Sequence, residues 1–173
     1  DIIFENVRHI LIKLSPMADI TMVCERLGSS CREVHVIGAA GECKELLIWM
    51  DREWSGEYTI TAIELPSHPR SSCHPEPSCH PERSEGSPSL TFTPSEEKLF
   101  SPILASKEDI AQATHLFEPG KALMKSGAFN TLCRRFGLKK LGRSTHYYII
   151  GNSHDEPNAI TTQKLSGLGK LYQ

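Results

Sequence analysis

The chain has 173 residues, of which 39% are apolar and 23% are charged, and its formal net charge is −2. These values are typical of a water-soluble globular protein, with room for one ordinary domain or two small ones. No apolar run approaches the ~20 residues that cross a bilayer, and residues 1–13 lack the pattern of a secretory signal. Membrane-spanning and signal-bearing classes are therefore disfavoured. Since Asp1 stands at the start in place of Met, we expect a chain that was processed or whose start is missing.

Charge is distributed unevenly along the chain. Residues 1–119 hold 10 Lys or Arg and 19 Asp or Glu, whereas residues 120–150 hold seven Lys or Arg and no acid. Residues 151–173 hold two of each sign. A basic segment behind an acidic one indicates contact with a polyanion or with an acidic protein surface.

The cysteines indicate a reduced, cytoplasmic setting. There are six, at positions 24, 31, 43, 73, 79 and 133, and no two form a C-x-x-C pair. Four lie in segments predicted as core helix or strand, where a free Cys behaves as a small apolar residue. We expect no disulfide framework in a chain of this length.

Strand and helix patterns alternate through the first 65 residues. The apolar run 9–14 predicts a strand, and Pro16 is suited to the first turn of a helix that ends at Leu27. Further on, the sequence predicts a strand at 33–38, a helix at 42–52 with the apolar stripe Cys43, Leu46, Leu47 and Met50, and a strand at 58–65. This order predicts an α/β layer, in which helices cover a sheet.

Residues 67–88 break the pattern. They consist of six Ser, five Pro, three His, three Glu, two Arg, two Cys and one Gly, and they contain two similar Cys-His-Pro-Glu hexads. We expect a disordered, repetitive insert, because nothing in it can contribute to a core. Zinc binding is the alternative, through His68, Cys73, His74, Cys79 and His80. The five residues between the two Cys do not match the usual two to four, so we predict no metal site.

Patterned sequence resumes at Ser89. We expect a strand at 89–93, a short helix or turn from Ser95, and either a helix at 107–114 or a strand from Ala111 to Phe117. A helix opening at Pro119 is predicted to bend near Gly127, resume at 128–136 and end at Gly137. A strand follows at 145–150, and residues 151–173 show no clear pattern.

The basic segment supplies the candidate site. Its predicted RNA-binding residues are Lys121, Lys125, Arg134, Arg135, Lys139, Lys140, Arg143 and His146. Cationic side chains neutralise phosphates, and neighbouring aromatic rings such as Tyr147 and Tyr148 can stack on bases. The alternative is an ordinary solvated face offset by the acidic part of the chain.

The sequence predicts no catalytic residue. It has no G-x-G-x-x-G loop after a strand, no P-loop and no nucleophile elbow. Lys13, Ser15 and Asp19 surround a strand-to-helix turn, where active-site groups can lie, but caps and surface charges explain them as well. Cys43 is expected to be a core residue.

Six stretches in order resemble a bacterial family of class I S-adenosylmethionine-dependent methyltransferases with a THUMP-like C-terminal domain. They are Ile12-Lys-Leu-Ser-Pro-Met-Ala-Asp-Ile20, Arg32-Glu-Val-His-Val36, Glu42-Cys-Lys-Glu-Leu-Leu47, Phe117-Glu-Pro119, Ala122-Leu-Met-Lys-Ser-Gly-Ala-Phe129 and Phe136-Gly-Leu-Lys-Lys-Leu141, followed by Thr145-His146. Three features depart from the family: Gly120 after Glu118-Pro119, the insert, and the tail after Gly151. A truncated or frame-disrupted gene would explain them.

The resemblance implies an α+β chain in which a ferredoxin-like βαβαβ-type unit precedes a small THUMP-like domain. The implied divisions are a methyltransferase remnant at 1–27, the ferredoxin-like domain at 28–66, the insert at 67–88, the THUMP-like domain at 89–150 and an atypical tail at 151–173. It also implies that S-adenosylmethionine binds to an upstream domain of the parent enzyme, with none bound by this chain alone. The expected function is to bind and position structured RNA for that domain, its partner in cis.

Two other functions stay open. The chain could be a scaffold whose basic segment docks on the acidic catalytic part of the parent enzyme, without affinity for RNA. It could also be a small zinc-binding module. In every case we expect a cytoplasmic protein without a membrane partner, which is inactive as a methyltransferase by itself.

Overall fold

The computed structural model describes residues 2–66, 87–151 and 159–173. The insert predicted at 67–88 lies outside the described residues except for Ser87 and Pro88. The five candidate zinc ligands, from His68 to His80, lie there too. Disorder and the absence of zinc therefore stay predictions.

Five strands form the first sheet. They are β1 (His9–Leu14), β2 (Cys31–Ala39), β3 (Glu42–Asp51), β4 (Thr59–Leu65) and β5 (Ser89–Phe92), in the spatial order β1-β3-β2-β4-β5. Only β2 and β4 run parallel; the other neighbours are antiparallel. The strands predicted at 9–14, 33–38, 58–65 and 89–93 are confirmed.

The helix predicted at 42–52 is wrong, because this segment is strand β3. Leu46, Ile48 and Met50 are buried while their neighbours Leu47 and Trp49 are half-exposed, which is the two-residue period of a strand. A tight hairpin leads into β3, with φ of 52° at Ala40 and 76° at Gly41. Positive φ at both central residues is the geometry of a type I′ turn. The predicted βαβαβ unit is therefore β-α-β-β-β.

Four strands form the second sheet. They are β6 (Ala113–Pro119), β7 (Lys139–Lys140), β8 (Tyr148–Gly151) and β9 (Gly169–Tyr172), in the order β7-β8-β6-β9, and all pair antiparallel. The helices of the described residues are α1 (Ile20–Leu27), α2 (Pro94–Leu99), α3 (Lys107–Ala111), α4 (Lys121–Ser126), α5 (Phe129–Phe136) and α6 (Ala159–Leu168). The α+β class is confirmed.

Glycines end two of the helices as the sequence predicts. Gly127 has φ of 79° after α4 and Gly137 has φ of 66° after α5, so both adopt the left-handed conformation that favours glycine. The predicted bend near Gly127 is confirmed as a break between two short helices. Helix α1 begins at Ile20, where the Asp19 side chain accepts a hydrogen bond of 2.8 Å from the Met22 amide.

The tail contains structure that the sequence did not predict. Leu165 and Leu168 of α6 are buried, and β9 pairs with β6. Within the ranges that the structure covers, none of the helices has both the length and the apolar character needed to cross a bilayer.

A half-buried glutamate links the two sheets. Helix α4 packs on β2, β3 and β4, and Glu64 of β4 accepts a 2.7 Å hydrogen bond from the amide of Ala122 at the start of α4. Burial raises the pKa of the Glu64 carboxyl, although the α4 amides and Lys121 partly offset this effect. Gly120 lies close beside this carboxylate, where a side chain would not fit because a Cβ at position 120 would overlap the Glu64 side chain. The start of α4 is therefore fixed against the first sheet.

Candidate nucleic-acid interface

A cleft lies where β6 ends, α4 begins and the loop before β8 passes. Its volume is about 370 Å³. The residues that line it are Glu118, Pro119, Lys121, Met124, Ser144, Thr145, His146 and Tyr147. The cleft thus combines an acid, a cation, an imidazole, two hydroxyls and an aromatic ring in one open site.

Two cations of the segments that form this cleft have no carboxylate partner among the described residues: Lys121 lines the cleft, and Arg143 precedes the lining residue Ser144. Lys121 is the first residue of α4 and is exposed, and Arg143 is exposed immediately before Ser144. No ion pair joins either side chain to another residue of the described ranges. Both charges are therefore available to an anionic ligand.

His146 contributes to the lining of the cleft. Its ring packs against Phe129 of α5, with 4.4 Å between the ring centroids and an angle of 32° between the planes. The Nδ1 atom is buried and has no hydrogen-bond partner among the described residues. Packing against α5 therefore positions the ring in the cleft wall.

Glu118 gives the cleft an acidic wall. Its Oε2 accepts a 2.8 Å hydrogen bond from the hydroxyl of Tyr172 on β9. This hydrogen bond raises the pKa of the Tyr172 phenol, because the neighbouring carboxylate disfavours the phenolate. Sequence reasoning missed Ser144 and Thr145 because only the fold brings the loop before β8 to Lys121. Glu118 stands three positions before Lys121 and could have been noted from the sequence, but its hydrogen bond to Tyr172 depends on the pairing of β6 with β9.

Several predicted RNA-binding cations make contacts within the chain. Arg135 donates two hydrogen bonds to Glu96, of 2.8 and 2.6 Å, and a third of 2.7 Å to the Thr91 carbonyl. Lys139 pairs with Asp109 on α3 and holds the pKa of that carboxyl below its usual value. These two charges are largely neutralised.

Three other predicted cations lie away from the cleft lining. Lys140 is 6% exposed, and its Nζ lies 5.6 Å from the Phe129 ring centroid. Arg134 is exposed and lies over Phe100, 5.7 Å from that ring centroid. Lys125 is half-buried near Cys43 of β3, and burial raises the pKa of the Cys43 thiol while Lys125 opposes that rise. Of the eight predicted residues, only Lys121 and His146 line the cleft, and Arg143 adjoins the lining residue Ser144 in the chain.

The residues around the first strand-to-helix turn make structural contacts. Asp19 caps α1, and Lys13 pairs with Glu45 across β1 and β3 at 2.9 Å. In the part of the chain that the structure describes, no group of three or more His, Cys, Asp or Glu side chains is arranged to hold a metal ion.

One polar cluster of the first sheet was not predicted from the sequence. Asp51 is 3% exposed, and its carboxylate accepts hydrogen bonds from the Glu53 amide at 3.0 Å and from Arg32 at 3.1 Å. Arg8 and His9 also lie within 3.5 Å of it. These partners, the Glu53 amide first, hold the pKa of the Asp51 carboxyl below its usual value. The cluster fixes the strand ends that meet there.

Comparisons with known proteins found a family model that matches part of the chain. A family model described as a ferredoxin-like domain matches residues 111–156. This range lies largely within the segment for which the resemblance implied a THUMP-like domain, and not at 28–66. No curated protein matches the chain.

The chain is also similar to a solved structure. It is the crystal structure of a provisionally assigned methyltransferase from Porphyromonas gingivalis W83, with 31% sequence identity and a TM-score of 0.63. The similarity covers 82% of this chain and 31% of that one. The chain therefore spans less than a third of the length of the methyltransferase that it resembles.

Proposed function

We propose that this chain is the RNA-binding, RNA-positioning portion of an S-adenosylmethionine-dependent methyltransferase. The similarity to part of a provisionally assigned methyltransferase supports the enzyme class. The observation that supports RNA binding is the cleft lined by Lys121, which has no carboxylate partner among the described residues; exposed Arg143, likewise without one, adjoins the lining residue Ser144. S-adenosylmethionine would bind to another domain of the enzyme, and this chain would present the RNA to it.

The cleft offers a contact for each part of a nucleotide. Lys121 and Arg143 would neutralise phosphates. Tyr147 is 43% exposed at the cleft and offers a ring on which a base can stack. Glu118 and the hydroxyl groups of Ser144 and Thr145 can accept or donate hydrogen bonds to base edges or a ribose 2′-hydroxyl.

A salt titration of RNA binding tests this function. Affinity for a fluorescein-labelled structured RNA is measured by anisotropy at several salt concentrations, for the wild type and for the Lys121→Ala, Arg143→Ala double variant. Each lost phosphate contact should reduce the slope of log K against log salt by about 0.7 to 0.9. Lys139→Ala is the matched control, because Lys139 already pairs with Asp109. An equal loss of slope in both proteins would contradict the assignment of the cleft.

Docking on an acidic protein domain is the second candidate function. It is supported by the same exposed charges, because Lys121 and Arg143, which form no ion pair with the described residues, can meet a carboxylate of another domain as well as a phosphate. A catalytic domain of the parent enzyme, supplied as a separate protein, would then bind in a salt-sensitive manner. Association with that domain together with no detectable RNA binding would favour docking.

A further inference from the structure

Two cysteines from different elements, a helix and a strand of the first sheet, lie in contact. Cys24 is on α1 and Cys31 is the first residue of β2, and their Sγ atoms are 3.5 Å apart. Cys24 is 4% exposed and Cys31 is 1% exposed. A short turn, Gly28–Ser30, joins the two elements, and Gly28 has φ of 70°. The turn returns the chain so that the two side chains meet.

The pKa values of the two thiols are shifted in opposite directions. Contact with the Cys24 thiol lowers the pKa of Cys31, because a thiol that donates a hydrogen bond stabilises the neighbouring thiolate. The same contact and burial raise the pKa of Cys24. Tyr58 also lies against the pair, and burial together with these thiols raises its pKa to about 12. Cys31 is therefore the better nucleophile of the two, and Cys24 retains its proton beside it.

We propose that Cys24 and Cys31 form a redox-sensitive modification site, at which a hydroperoxide oxidises the pair to an intramolecular disulfide. This property is independent of RNA binding. Because Cys24 and Cys31 are 4% and 1% exposed, the reaction requires a local opening that admits a molecule of the size of hydrogen peroxide.

The reaction balances in two steps. The Cys31 thiolate attacks one peroxide oxygen, the O–O bond breaks, and Cys31 sulfenic acid and hydroxide form. The Cys24 sulfur then attacks the Cys31 sulfur, the S–O bond breaks, and water leaves as the S–S bond forms. Overall the two thiols lose two electrons and two protons, and one peroxide becomes two waters. A small dithiol would reverse the oxidation by exchange.

Approach of the sulfurs to bonding distance requires a shift of about 1.5 Å, within reach of side-chain rotation and small backbone movements. The bond would close a loop of eight residues between α1 and β2. Because a closed loop restricts the unfolded chain, we expect the oxidised protein to melt about 5 °C or more above the reduced protein.

Peptide mapping of the full chain tests the proposal. Trypsin cleaves after Lys13, Arg26 and Arg32, so Cys24 and Cys31 fall on separate peptides, 14–26 and 27–32. The protein is treated with hydrogen peroxide, free thiols are blocked with iodoacetamide, and the digest is analysed by mass spectrometry without reductant. We expect a linked peptide of the summed mass less two hydrogens, which disappears when dithiothreitol is added.

Matched variants isolate the pair. Cys133 is 1% exposed, and no hydrogen bond links its sulfur to another cysteine of the described residues. Cys133→Ser should keep the linked peptide and the rise in melting temperature, whereas Cys31→Ser should lose both. The proposal is wrong if the wild type yields the two peptides unlinked, each alkylated or oxidised singly. It is also wrong if the disulfides join Cys24 or Cys31 mainly to other cysteines. The wild-type map decides the matter even if a variant fails to fold.

Discussion

Glu97 provides the sharpest test of how the second half of the chain is held together. Helix α5 begins after Ala128, whose side chain cannot cap it. The Glu97 carboxylate of α2 caps α5 instead, from 32 to 34 positions earlier in the sequence. It accepts hydrogen bonds from the amides of Phe129 at 3.1 Å, Asn130 at 2.7 Å and Thr131 at 2.9 Å. The carboxylate thus satisfies three amides that have no partner within the helix.

The cost of removing this cap follows from those contacts. An N-cap contributes about 0.5 to 2 kcal/mol, and a negative charge at a helix N-terminus adds about 0.3 to 1 kcal/mol. Since one carboxylate serves three amides of a helix that buries Leu132 and Cys133, we expect Glu97→Ala to lower the free energy of unfolding by about 2 to 3 kcal/mol. The melting temperature should fall by roughly 4 to 12 °C. Glu97→Gln keeps one acceptor oxygen and should cost about half as much.

The neighbouring residue supplies the control. Glu96 pairs with Arg135 at the surface, with 25% and 39% of the two side chains exposed, so Glu96→Ala should cost less than about 1 kcal/mol. Urea unfolding followed by circular dichroism gives both values. Equal losses in the two variants would refute the assignment of Glu97 as the cap of α5.

Three further predictions concern the links between elements. Burial raises the pKa of Glu64, so the folded state binds the proton of this carboxyl more tightly than the unfolded state does. As the pH rises above 4.5, the melting temperature of the wild type should therefore fall relative to that of Glu64→Gln. If the difference between the two melting temperatures does not change with pH, this is wrong. The Asp51 carboxyl has a lowered pKa, so Asp51→Asn should lower the melting temperature at pH 7. The difference in melting temperature between the wild type and this variant should shrink as the pH falls below 3.8. A difference that does not change with pH would contradict the prediction. Gly120→Ala should destabilise the chain because its Cβ would overlap Glu64, and combining it with Glu64→Ala should restore part of the loss in urea unfolding; strict additivity would count against the contact.

The local sequence pattern was sufficient to predict an element where that pattern fits only a strand or only a helix. The run 9–14 and the alternating segment 58–65 predicted β1 and β4, because both are β-rich and bounded by turn residues. The prediction of a helix at 42–52 failed because positions 46 and 50 lie on the same face both in a helix and in a strand. Pairing with β1 and β2 on both sides selects the strand there, and a single sequence does not reveal that pairing.

The candidate site was predicted by composition and then reduced by tertiary contacts. A count of basic residues between 120 and 150 cannot show that Arg135 reaches Glu96 or that Lys139 reaches Asp109, since both carboxylates come from helices 30 or more positions away. Glu118 was missed for a related reason: its role depends on β9, a strand in a tail without a clear pattern. The charge pattern therefore defines the candidate region, and tertiary packing determines which of its side chains face solvent.

The most direct test of RNA binding at the cleft is a comparison of two charge-reversal variants with equal net charge. One carries Lys121→Glu and Arg143→Glu, in the two segments that form the cleft; the other carries Arg26→Glu and Lys107→Glu, at exposed cations on helices α1 and α3, which contribute no residue to the cleft. Affinity for a labelled structured RNA is measured by anisotropy at low salt, with circular dichroism as the check on folding. The account predicts that the cleft variant binds more than about tenfold more weakly than the control variant. Equal affinities, or no RNA binding by the wild type, would contradict it.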